Sequence, residues 1–330
     1  MPTWGEILKE FSTHPNTPDS IRRKYLLGLA EYTGRDIILY STKWTDPSGI
    51  NPDMISITEE DIQGFMEVVH GLRNNKLDCI IHSPGGSPAA TEAIVKYLRK
   101  KFTDIRVIVP QAAMSAGTML ACAGNRILMG KHSFLGPIDP QFILSTHTPG
   151  TNRMVPAQAI LDQFELAKKE CKDNQNLAAW LPILNQYGPG LLIECKNAIA
   201  LSTKLVKNWL SQYMFKGVQR ASHRASTVAK RLAAHQNHKS HSRHLDREDC
   251  KEMGLIIDDL EQDQRLQDLV LSVFHASTLT FTTTPAAKII ENQNGKAFIK
   301  LAIVGMGRQQ PQNPPSSQPQ GIPQSAKDVK

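Results

Sequence analysis

The chain has few cysteines and no CxxC pair. Cys79, Cys122, Cys171, Cys195 and Cys250 are an odd set, scattered through 330 residues. That pattern argues against a disulfide framework and for a reducing compartment. The nucleotide-phosphate motifs GxGxxG and GxxxxGK[ST] are also missing, so no phosphate is cradled by those routes. The N-terminal MPTWGEILKEF lacks the charged start, long apolar stretch and small-residue cleavage site of a signal peptide. Residues 107–125 form a long uncharged run. A membrane helix needs about 20 apolar residues, but this run is interrupted by Pro110, Gln111, Ser115, Gly117, Thr118 and Gly124. It reads as strand, turn and buried helix. The expectation is a soluble cytoplasmic protein with no transmembrane segment.

What is present is ordinary globular composition, 40% hydrophobic and 21% charged, which excludes a wholly disordered chain or a coiled-coil rod. Lysine and arginine exceed aspartate and glutamate by 38 to 31. Much of that excess sits in residues 216–251, where nine Lys/Arg and five His face three acids. No aromatic residue follows Phe215 in that stretch to stack a base, so it reads as a solvated basic face and nucleic acid is not expected as a partner.

Three parts are legible. Residues 1–33 are helical by apolar spacing. Residues 34–305 hold the main domain, with a mainly helical part at about 156–234. Residues 306–330, rich in Pro and Gln, lack the apolar residues of a core and read as disordered. Within the domain, strand, tight turn and helix recur, which predicts an α/β fold with largely parallel strands. Thr58 and Asp61 stand in a capping-box-like spacing before a helix whose apolar positions are Ile62, Phe65, Met66, Val69 and Leu72. KHSFLGPIDPQ reads as a loop and LPILNQYGPG as a break between two helices.

Two turns carry the chemistry: Ser83-Pro84-Gly85-Gly86-Ser87 and Ala113-Met114-Ser115-Ala116-Gly117. Each lies between an apolar strand and a helix. Glycine lets the backbone approach a ligand, and a helix start leaves amide N–H groups unpaired. Side by side, the turns would surround a developing oxyanion with donors, and Ser115 would stand where a nucleophile stands. On spacing alone they are equally well two tight turns of a sheet protein.

IIHSPGGSPAATEAIVKYL resembles the oxyanion segment of the Clp-protease/crotonase superfamily, and IVPQAAMSAGTMLACAGNRILM its nucleophile segment. FLGPIDPQF and the later HSRHLDREDCKEMGLIID are similar to segments of the serine dehydrogenase proteinase family, which is related to the signal peptide peptidase A-type Ser/Lys peptidases. The resemblance implies a Clp/crotonase-like spiral of strand-turn-helix units with additional C-terminal helices. It implies a serine endopeptidase acting on proteins or peptides, with no cofactor or metal, and a homo-oligomer. It places the nucleophile at Ser115 and the oxyanion donors at the N–H groups of Gly86 and Ala116.

A serine hydroxyl needs a base. Lys168 and Lys169 follow Ser115 by 53 and 54 residues, a spacing similar to that of Ser/Lys peptidases. Lys168 is expected on the apolar side of its helix, with Ile160, Leu161 and Phe164, where desolvation would lower its pKa; Lys169 is the alternative. His132 and His147 rank next. His235, His238, His241 and His244 recur every third residue, which reads as a basic loop near the active-site mouth before it reads as a metal site. Asp139 either orients a base, holds an oligomer contact or caps a turn. Two other functions stay open: a crotonase-like acyl-CoA enzyme, against which neither turn carries a carboxylate, and an inactive oligomeric scaffold.

Overall fold

The computed structural model describes residues 3–13, 18–145 and 152–302. The tail 306–330 and His147 lie outside the described residues. Helices α1 (Trp4–Thr13) and α2 (Pro18–Thr33) precede β1 (Asp36–Thr42). Then come α3 (Pro52–Ile55), α4 (Asp61–Val69), β2 (Lys76–His82), α5 (Pro88–Lys101), β3 (Asp104–Val109), β4 (Ala112–Ala113), α6 (Ala116–Cys122), β5 (Arg126–Met129) and β6 (Phe134–Leu135). A hairpin of β7 (Gln141–Ser145) and β8 (Asn152–Pro156) leads into α7 (Ala157–Glu170), α8 (Leu177–Leu184), α9 (Leu191–Trp209), α10 (Ala221–Ala233), α11 (His235–His238) and α12 (Arg247–Met253). The chain closes through β9 (Ile257–Asp259), α13 (Gln264–Thr283), β10 (Ala286–Asn292) and β11 (Ala297–Leu301).

The main sheet runs β11-β10-β1-β2-β3-β5-β9. From β1 to β9 neighbours are parallel, while β10 and β11 are antiparallel additions at one edge. Side chains alternate across a strand, so covering both faces demands apolar residues at every position. Ile38, Cys79, Ile81, Val107, Val109, Ile127 and Met129 face a core closed by α4, α5, α6 and α10. Their neighbours Ile37, Leu39, Ile80, Ile108 and Leu128 face α2 and α13. This is the expected α/β architecture with helices added after the strand-turn-helix units.

Several local expectations are corrected. Only half of the capping box between Thr58 and Asp61 forms: the fully buried Asp61 side chain accepts from Thr58 N at 3.0 Å, but the Asp61 amide donates to Thr58 O and not to its hydroxyl, and α4 begins at Asp61 itself. Met66, counted among the apolar positions, is 55% exposed. Part of KHSFLGPIDPQ is strand, since Gln141 opens the β7–β8 hairpin. The alternation is only two residues deep on each side, with Phe142, Leu144 and Val155 inward and Ile143 and Met154 outward, too short to read from sequence. LPILNQYGPG is helical through Leu184, with Pro182 inside α8. Helix α9 ends at Trp209 and the chain continues as a π turn, Leu210–Met214. Its Val206, Trp209, Leu210 and Phe215 fill the chain's own core, leaving Ile193 and Leu201 exposed.

Candidate active site

Both glycine-bearing turns leave the same end of adjacent parallel strands, and backbone bonds lock them together. Ser83 N donates to Ala112 O at 3.1 Å, and Met114 N to Ser83 O at 2.9 Å. Gly85 then lies against the second turn so closely that a Cβ there would sit 2.7 Å from Met114 O and from Ser115 Cβ. Its φ of +101° is a second reason for glycine at this position. Gly86, φ +150°, has the Ile57 backbone on its other side; an added Cβ would meet Ile57 O at 2.3 Å.

Ser115 is one of three described non-glycine residues with positive φ, at φ 51° and ψ −117°. Such a conformation costs about 1–3 kcal/mol and persists only where the surroundings enforce it. Here they do. Gly117 N donates to Met114 O at 2.7 Å, and Thr118 Oγ1 donates to Ala113 O at 2.7 Å, while the same hydroxyl accepts from Gly136 N at 2.9 Å. The strain puts the Ser115 side chain at the rim of the turn, half-buried. Its hydroxyl has no hydrogen-bond partner among the described residues, and the N–H groups of Gly86 and Ala116 have no acceptor there either. Gly86 is exposed. A reactive hydroxyl thus shares one surface with two unsatisfied backbone donors, the set of parts that acyl transfer needs.

The signature of the ClpP-like SDH-type serine proteinases matches residues 57–270, which include both turns. The chain belongs to that family. Two uncharacterized proteins of Methanocaldococcus jannaschii are similar to it. One is 35% identical over 122 residues, covering 37% of this chain and 39% of that protein. The other is 38% identical over 86 residues, covering 26% and 30%. The chain therefore spans well under half the length of these relatives. A solved structure of a membrane-bound stomatin-specific protease, 1510-N, in a serine-to-alanine variant, overlays 62% of this chain and 75% of its own at 16% identity and a TM-score of 0.36. Membership makes this a ClpP-like serine proteinase fold.

The lysines are not where the sequence put them. The inward positions of α7 are Ala157, Ile160 and Ala167. Lys168, one step past Ala167, reaches solvent: its side chain is 57% exposed and Nζ pairs with Glu165 at 2.9 Å. Lys169 is exposed as well. The desolvation expected of Lys168 is therefore absent in the single chain. His132 is exposed and lies beside His275, whose pKa is lowered by burial and then by His132. His82 is neutral and buried on the other sheet face, against Phe274, with its pKa pushed down to about 4 by desolvation.

The histidine series has a partner that sequence spacing did not reveal. Asp139, 2% exposed, accepts from His241 Nδ1 at 2.8 Å on one oxygen and from His235 Nδ1 at 2.9 Å on the other. Burial pushes its carboxyl up, but the two imidazoles outweigh burial and hold it below the usual range. An imidazole that donates Nδ1–H leaves Nε2 as an acceptor when neutral. The loop carrying Asp139 begins beside the nucleophile turn: β6 pairs with β4, and Gly136 packs against Met114. No group of three or more ligating side chains suited to a metal occurs among the described residues. No helix among them is long and apolar enough to cross a membrane.

Proposed function

We propose that the protein hydrolyses peptide bonds with Ser115 as nucleophile and the N–H groups of Gly86 and Ala116 as oxyanion donors. The observation that carries this reading is the strained Ser115 on a turn packed against Gly85, with both donors lacking acceptors. Ser115 Oγ attacks the scissile carbonyl carbon and gives up its proton to the base. The carbonyl oxygen, now anionic, is held by the two N–H groups. Collapse of the tetrahedral species expels the amine, which takes the proton back, and water then releases the acyl group by the reverse path. Neither turn offers the carboxylate that an acyl-CoA enzyme of this fold would use.

For the base, the imidazoles anchored by Asp139 are favoured over Lys168. Their Nδ1–carboxylate bonds orient the rings in the manner of a Ser-His-Asp triad, whereas Lys168 is solvated and ion-paired. The lysine reading requires a second copy or a bound substrate to bury α7. Apolar residues on this side, Ile143, Met154, Leu181 and Ile193, are exposed and give a homo-oligomer a surface to form on. Peptidase assays of Asp139→Asn and Lys168→Met separate the two bases. An Asp139→Asn loss of about 10⁴-fold in kcat, the size seen when a triad aspartate is neutralised, with an active Lys168→Met enzyme, supports the imidazole. The reverse pattern overturns it in favour of the lysine.

A further inference from the structure

Lys288 and Asp61 form an ion pair with both side chains fully buried, and the chemistry above makes no use of it. Lys288 Nζ, on β10, donates to the two Asp61 oxygens at 2.7 and 2.8 Å and to Ser56 O at 2.6 Å. Asp61 Oδ2 also accepts from Thr58 N at 3.0 Å and from the Tyr40 hydroxyl at 2.8 Å. Lys300 approaches Asp61 Oδ1 at 3.8 Å while pairing with Glu60 at 2.7 Å. One ion pair therefore fixes the carbonyl before Ile57 and the amide after it.

In an extended segment the polar groups of successive residues point to opposite sides. With Ser56 O and Thr58 N committed to the ion pair, Ile57's own N–H and C=O point the other way, at the glycine turn. Ile57 N donates to Gly85 O at 2.7 Å, and Ser87 N donates to Ile57 O at 2.9 Å. These bonds clamp the residues on either side of Gly86, and because Gly85 O belongs to the same trans peptide as Gly86 N, holding that oxygen on Ile57 turns the Gly86 N–H the other way. An apolar pair of equal volume is commonly no less stable than a buried ion pair, so stability alone does not account for the charges.

We propose that Asp61 and Lys288 are positioning residues for the oxyanion donor: they hold residues 56–58 and, through Ile57, aim the Gly86 N–H. The inference rests on the peptidase reading above. Removing one charge alone strands the other and destabilises the fold, so the test uses the double variant Asp61→Leu/Lys288→Met, an apolar pair that leaves Ser56 O and Thr58 N without these partners. Active sites are titrated with a fluorophosphonate, and kcat is expressed per titrated site, a readout that a mere loss of folded protein does not move. The expected result is a fall in kcat per site of about 10- to 1000-fold, the range for one misplaced oxyanion donor, with KM within twofold of wild type. Wild-type kcat per site in the double variant overturns the positioning role, as does a double variant that fails to fold, which makes the pair a determinant of the fold. A wild-type protein that neither labels nor cleaves peptide defeats the peptidase reading itself.

Discussion

Ser115 illustrates how much of a functional site is held in one residue's backbone. Its φ of 51° is unfavourable for any side chain but easy for glycine. Ser115→Gly should therefore be more stable than Ser115→Ala by about 1 kcal/mol, although both are inactive. Urea denaturation of the two variants checks this; a more stable alanine variant would mean the turn is unstrained. His82 makes a second prediction at this scale. Its pKa is pushed down to about 4 by burial, whereas the unfolded ring titrates near 6.5. Between those values the unfolded chain binds the extra proton, so stability falls as pH falls from about 6.5 to about 4. The loss attributable to this residue is on the order of 3 kcal/mol. Denaturation midpoints of wild type and His82→Gln across that window should converge toward low pH; parallel curves would show that His82 is not the group responsible.

At the scale of elements, the site is a contact between two turns, and Gly85 is the closest point of that contact. Gly85→Ala would force a Cβ to within 2.7 Å of Met114 O and Ser115 Cβ. The turns must separate, at a cost of about 1–3 kcal/mol and with loss of most peptidase activity. Normal turnover in this variant would show that the two turns do not act together. The sequence made both turns legible, because strand, glycine-rich turn and helix follow one another with an apolar run on each side. Neither Ile57 nor the Lys288–Asp61 pair was legible, because Asp61 and Lys288 come from segments more than 200 residues apart and meet only where α4 packs on β10. Asp139 and the histidines at 235 and 241 were each noticed, yet their union depends on how α11 and its following loop fold back on the β6–β7 connection. Lys168 was misplaced for a simpler reason. Helical phase assigned it to the apolar side, but Ala167 takes the inward position and a long side chain one residue on reaches water.

Across the whole molecule, the order of parallel strands and the family membership make the same statement: this is a ClpP-like serine proteinase fold. The parallel α/β arrangement was readable from the recurrence of strand, tight turn and helix. The hairpin β7–β8 and the exposed apolar residues around it were not, since nothing in a single sequence says which surfaces stay uncovered. The account's central claim is that Ser115 is a working nucleophile. The most direct measurement is mass spectrometry of the protein after reaction with a fluorophosphonate probe. The account predicts a single adduct on the peptide containing Ser115, abolished in Ser115→Ala while the circular dichroism spectrum is unchanged. Labelling at another serine, or none on a folded and monodisperse wild-type protein, would contradict it.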